Sequence, residues 1–375
     1  MSIDDLPDPT ALPGTPHPRE TVRLYGQASA EAEILDAFNA GRMHSGWLIT
    51  GPKGIGKATL AWRMAGFLLT ATDRDGGLFG APDPETSLDM PDGTDRDQML
   101  SGAHPRLFHV RRSPNDKGDR ISTDIRAQDV RKLKGFFHLS AADGGRRVVI
   151  VDAADEMNVT AANALLKELE EPPARTTLLL VCHQPARLLP TIRSRCRELR
   201  LRPLGPEDMA AALAQAGVET DAGPAVAELS GGSVGEAMRL IRMDGLKLYE
   251  NLVGLFDHRG KVDRIKALAL AESMIGAKNA ERFDLALDLA DQFLARLARA
   301  GLTGPPGTQA AQGEARLLAA LGPDDRAARV WANLSQALRE RARHAQGVNL
   351  DPATVLLDIA LRVEETAQKI TALPA

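Results

Sequence analysis

Several things are scarce in this 375-residue sequence, and each scarcity excludes a class of protein. Cysteine is nearly missing: Cys182 and Cys196 are too few for a disulfide framework or a four-cysteine zinc site. A reducing, cytoplasmic setting is expected. Aromatic residues make up only 4%, which leaves little for base-stacking platforms. Basic charge is not in excess, because the formal net charge is −4. A protein that grips DNA with its whole surface draws on a basic surplus, so any DNA contact here is local or made through partners. No run approaches the ~18 unbroken apolar residues of a membrane span. The proline-rich, acidic N-terminus lacks the charged-then-apolar pattern of a secretory signal.

What is present can build real cores. The hydrophobic share is 43%, and the length allows two or three domains at ~100–200 residues each. Residues 1–21 hold five prolines among small and acidic residues and are expected to form a disordered tail. From 22 to 202 apolar runs alternate with helical patterns, as in βαβ units around a parallel sheet. Trp47–Thr50, Val148–Val151 and Thr177–Val181 read as buried strands. Ala161 to Glu171 reads as a helix with Ala162, Leu165, Leu166 and Leu169 on one face, stopped by Pro172-Pro173. Residues 71–102 carry eight acidic and two basic residues with little periodicity, and are expected to be a mobile acidic insertion. Beyond 203 no strand pattern appears. A small helical unit, 203–245, is expected to break at Gly231-Gly232, and 246–375 reads as helical throughout, with amphipathic stretches at 262–300, 326–346 and 351–370.

Chemistry concentrates first in Gly51-Pro-Lys-Gly-Ile-Gly-Lys57, which directly follows the Trp47–Thr50 strand. Gly51, Gly54 and Gly56 let the backbone curl so that successive N–H groups face phosphate oxygens, and Lys57 would reach the outer phosphates. The next position departs from the pattern. A working P-loop places Ser or Thr there to hold Mg²⁺, and here it is Ala58. Asp152, at the end of the Val148–Val151 strand, supplies the carboxylate expected near the metal. The Glu that would orient an attacking water after it is replaced by Ala153. Asp155 is expected to cap the next helix, with Asn158 and Thr160 as rivals.

Asn163-Ala-Leu-Leu-Lys-Glu-Leu-Glu-Glu-Pro-Pro173, followed by Leu188-Leu-Pro-Thr-Ile-Arg-Ser-Arg-Cys196, resembles the clamp-loader branch of the AAA+ ATPases. The resemblance is good over about residues 22–245 and general over the C-terminal helices. It implies an α/β P-loop AAA+ domain at 22–202, a helical lid domain at 203–245, and an all-α collar domain at 246–375 that holds subunits together. It implies related AAA+ subunits as partners in a hetero-oligomeric ring within a DNA polymerase holoenzyme, acting on a sliding clamp and primed DNA. In such proteins Ser194, Arg195 and Cys196 meet the neighbouring subunit, and Arg195 would be an arginine finger acting in trans on the neighbour's nucleotide. A planar, permanently charged guanidinium suits that task, although a surface arginine in a basic cluster with Arg193, Arg197 and Arg200 is the plainer alternative. His183 stands where such ATPases carry a small polar γ-phosphate sensor, and Gly235 where they carry a sensing arginine. The 71–102 segment falls where many relatives hold a zinc module, and it has no cysteine. The resemblance therefore implies a nucleotide site that binds ATP or ADP without hydrolysing it, poorly equipped for Mg²⁺ and without zinc. Two alternatives differ from this: a slow but genuine ATPase using Lys57, Asp152 and Glu156, and another AAA+ DNA motor with its own DNA-binding module.

Overall fold

The computed structural model describes residues 6, 8–11, 15–71, 83–139, 144–218, 220, 223–347 and 350–372. The chain divides into two compact units, Met1–Val218 with Ser233–Gly235, and Glu219–Gly232 with Glu236–Ala375.

The first unit is built on one five-stranded, all-parallel sheet. Its strands are β1 (Gly46–Thr50), β2 (Leu107–Val110), β3 (Arg147–Asp152), β4 (Thr176–Cys182) and β5 (Arg197–Arg200), in the order β2-β3-β4-β1-β5. The central strands β1 and β4 are buried along their whole length, and β3 is buried in all but Arg147. A parallel sheet covered on both faces selects such continuous apolar runs over alternation. Helices α1 (Ala28–Asn39), α2 (Lys57–Thr70), α3 (Thr94–Ser101), α4 (Ala127–Leu139), α5 (Val159–Glu170), α6 (Pro190–Arg193) and α7 (Pro206–Gln215) complete the unit. The three strands and the helix expected from the sequence all form, and the expected α/β architecture around a parallel sheet is present. The two edge strands escaped the sequence reading because β5, Arg-Glu-Leu-Arg, buries only Leu199, and β2 has one fully buried residue, Val110.

The two segments expected to be disordered carry defined contacts where they are described. Of the tail, residues 1–5, 7 and 12–14 lie outside the described residues. His17, however, is buried edge-on against Trp62. Its imidazole accepts from Arg19 N while Glu20 accepts from His17 N, capping a 3₁₀ turn at Pro18–Glu20. Asp8 forms an ion pair with Arg111. Of the acidic segment, 72–82 lies outside the described residues, but Thr94–Ser101 is helical, with Met99 and Leu88 buried. Arg63 on α2 ties Asp89 down at 2.8 Å. Acidic composition hid two apolar anchors.

The second unit is helical, as expected. It holds α8 (Gly223–Ser230), α9 (Val234–Arg242) from Glu236 onward, α10 (Gly245–Val253), α11 (Arg264–Glu272), α12 (Ala280–Thr303), α13 (Glu314–Leu321), α14 (Asp325–Gly347) and α15 (Pro352–Ala372). The stretch read as 262–300 is two helices, separated around Gly276, whose φ of 107° no helix accommodates. Its core is one cluster that includes Tyr249, Phe293, Leu318 and Trp331. Inside that cluster sits a charged group. The fully buried Glu314 accepts from Tyr249 Oη at 2.5 Å, Arg296 Nε at 2.7 Å and Ala310 N at 2.8 Å. Every partner is satisfied, which is the condition for keeping such charges in a core.

Candidate functional site

Parallel sheets present their ligand crevices at the carboxyl ends of the strands. Here β1, β3 and β4 lie side by side, with Thr50 opposite Cys182 and Asp152 opposite Val181. Gly51, Gly54, Gly56, Lys57 and Asp152 are therefore gathered at one end of the sheet. The loop itself needs its glycines. Gly51, Gly54 and Gly56 have φ of 140°, 78° and 98°. A Cβ on Gly51 would lie 2.6 Å from Ile55 Cδ1 and 2.9 Å from Leu201 O. α2 then starts at Lys57 with no side-chain cap, so its first N–H groups are available to an anion. This backbone fits a phosphate.

The side chains around it are turned inward. Lys57 is buried and donates from Nζ to Gly51 O at 2.8 Å and Pro52 O at 2.5 Å. Burial lowers its pKa to about 8, against the pull of Asp152. Burial also pushes Asp152 up to about 7, helped by the negative charge of Glu156. Ala58 offers no hydroxyl at the position where a P-loop holds Mg²⁺.

The neighbours of Asp152 have other work. Asp155 does not cap α5. Asn158 does, accepting from Ala161 N at 2.9 Å. Asp155 instead accepts from His183 N at 2.8 Å and Gln184 N at 3.1 Å, closing the end of β4. The sequence signal for a cap was sound but belonged to the rival three residues later. Glu156 is held by Arg112 at 2.9 Å. His183 is kept neutral, its pKa lowered to about 4 by burial and then by the charge of Lys57. Its Nδ1 is buried with no hydrogen-bond partner among the described residues.

Gly235 also comes to the loop. Its N–H donates to Gly54 O at 3.0 Å, and Ser233 Oγ donates to Lys53 O at 2.8 Å. A Cβ on Gly54 would lie 2.3 Å from Ser233 Oγ and 3.0 Å from Gly235 Cα. Two backbones meet here at a distance that no side chain permits. The role of Ser233 was not legible, since it stands 180 residues from its partner.

Arg195 is not in this group. The strand β5 begins opposite Trp47, so Ser194-Arg195-Cys196 lies at the amino end of β1. The Gly46–Thr50 strand then separates it from the P-loop by roughly 13 Å, at ~3.3 Å per residue. The tripeptide is anchored on both sides of the arginine. Ser194 N donates to Pro190 O at 2.9 Å, and Ser194 Oγ to Thr191 O at 3.2 Å. Cys196 packs inward, its thiol pushed up to about 12 by burial. Gly46 allows this, because a Cβ there would stand 3.2 Å from Cys196 Sγ and 3.3 Å from Arg195 O. Arg195 points outward, with its side chain 37% exposed. Glu170 at the end of α5 meets Arg195 Nη2 at 2.8 Å, and Thr191 O accepts from Nη1 at 3.0 Å. Glu170 carries no local signal that could have found it.

The chain is similar to several known proteins. Residues 26–205 match the family model described as DNA polymerase III, delta subunit. The chain is 40% identical over 174 residues to DNA polymerase III subunit delta' of Pseudomonas aeruginosa, covering 46% of this chain and 45% of that protein. It is 33% identical over 222 residues to the Escherichia coli subunit of the same name, covering 59% and 61%. The Bacillus subtilis subunit delta' is 31% identical over 230 residues, covering 58% and 63%. The alignments thus span about half to three fifths of the length of these relatives.

Proposed function

We propose that the protein is a delta prime-like clamp-loader subunit, because residues 26–205 match the family model of the DNA polymerase III delta subunit and the chain is similar to three delta' subunits. It assists ATP-driven loading of a sliding clamp onto primed DNA, and it donates Arg195 to the ATP site of a neighbouring AAA+ subunit. One observation carries the reading. The exposed guanidinium stands at the opposite end of the sheet from the chain's own P-loop, so the phosphate it would serve belongs to another molecule. The lid, 203–245, and the collar, 246–375, complete the subunit, with the collar helices holding it in a hetero-oligomeric ring.

Its own P-loop keeps a backbone cradle for ATP or ADP and lacks the means of hydrolysis. Ala58 and Ala153 remove two functional groups, Arg112 occupies Glu156, and Gly235 brings backbone where a sensing arginine would reach. When bound, a nucleotide would have its phosphates held by the loop's N–H groups, the start of α2 and Lys57. The glycine conformations and the uncapped α2 favour a second reading, a weak ATPase in its own right. A purified-chain turnover assay separates the two: substantial hydrolysis that collapses in Lys57→Ala supports the weak enzyme and sinks the helper. The finger is tested in a complex reconstituted with ATPase partner subunits, clamp and primed DNA. Unchanged stimulated hydrolysis with Arg195→Ala defeats it.

A further inference from the structure

We infer that Glu170 is a positioning residue for Arg195, fixing the guanidinium before a neighbour arrives; this rests on the reading that Arg195 acts in trans. Two acceptors from two different elements grip two different nitrogens. Glu170 Oε1 on α5 takes Nη2 at 2.8 Å, and Thr191 O on α6 takes Nη1 at 3.0 Å. A planar group held at two of its corners has no free rotation left. Two of the five guanidinium N–H groups are used, so three remain for an incoming oxyanion. The grip is on a firm support. α5 ends at Glu170 because Pro172 and Pro173 follow, and Leu169 beside it is buried against the start of β1.

The pair has no evident purpose in stability. Arg195 and Glu170 are 37% and 48% exposed, and exposed ion pairs contribute little to folding. Its effect lies in entropy. A free arginine side chain carries rotamer entropy, which a finger must lose when it docks on a phosphate. Here the two acceptors reduce that freedom in the undocked subunit, and preorganisation of this kind shows in rate. The carboxylate also lowers the local positive charge, but water screens an exposed pair and the three free donors keep their direction.

The test uses the reconstituted complex with clamp, primed DNA and ATP, and reads kcat and KM for ATP separately. Glu170→Ala is expected to lower kcat about three- to tenfold with KM unchanged and with the same co-elution of subunits. Glu170→Gln keeps an acceptor oxygen and is expected to recover at least half of that loss. In an Arg195→Ala background, Glu170→Ala is expected to add nothing. A rise or no change in kcat with Glu170→Ala overturns the inference, since Glu170 would then restrain the finger or be inert. An equal loss with Gln overturns it too, as does a loss that persists without Arg195. Failure of the underlying reading looks different: Arg195→Ala alone would leave hydrolysis unchanged.

Discussion

The two ends of the one sheet hold opposite kinds of charge. At the carboxyl ends Lys57, Asp152, Asp155 and His183 are drawn into the protein and satisfied by its own backbone or shifted toward neutrality. At the amino end the Arg195 guanidinium is pinned by its neighbours and still faces outward. The residues that define the fold's nucleotide site have thus become part of the interior, and the group that keeps its charge is directed away from the molecule. A motif can outlive its chemistry when its backbone still closes a core.

The largest effect that would sharpen this contrast is on turnover in the complex. Arg195→Ala should lower hydrolysis at the neighbouring site on the order of 10³-fold. The variant's own unfolding midpoint should stay where it is, because the side chain is exposed. A large loss of stability instead would make Arg195 a structural residue and break the comparison.

The buried end should respond to pH. Asp152 holds its proton to about pH 7 in the folded chain and to about 3.8 unfolded, so between those values the folded state binds more protons. Stability from this group is full at low pH and is lost as pH rises through that window, by up to about 4 kcal/mol. His183 runs the other way between about 4 and 6.5, because its folded pKa is depressed. His109 adds to His183, its folded pKa lowered to about 3 by burial, so the wild-type profile should rise with pH there, and Asp152→Asn should steepen that rise. Chemical denaturation at pH 4, 5, 6 and 7 measures it. An unchanged profile in Asp152→Asn would mean that the carboxyl is solvated and the site open.

A third effect is steric. Gly54→Ala forces a φ of 78° on alanine and drives its Cβ into Ser233 Oγ. The expected cost is about 1–3 kcal/mol, with faster hydrogen exchange at Gly235 N, which bonds Gly54 O. Unaltered exchange would show that the turn is not seated on the loop.

How much of this could be read in advance depended on range. The P-loop, the central strands and α5 were legible because each is a contiguous pattern tied to one local cause: glycines after a buried strand, or apolar spacing ended by two prolines. The end of β4 was not, because Asp155 acts on His183 and Gln184, 28 and 29 residues away. The segments around His17 and Met99 looked solvated because composition averages over neighbours, whereas one buried side chain against α2 is enough to order a turn or a short helix. Arg195 was legible as a motif, but not as a side chain held by Glu170.

The smallest expected effect concerns that same pair, and its smallness is informative. Glu170→Ala removes one exposed contact from Arg195 and leaves the Thr191 carbonyl in place, so unfolding free energy should fall by less than about 1 kcal/mol. The loss should shrink further in 0.5 M salt, because screening already weakens the pair. Turnover of the complex at low salt should nevertheless fall about three- to tenfold, since the held arginine acts on docking and not on folding, and that loss should shrink as salt releases the wild-type pair. If the turnover loss is no larger than the stability change predicts, the two acceptors merely brace the loop, and the amino end of the sheet is as structural as the carboxyl end. If turnover falls while stability does not, the contrast between the two ends is functional.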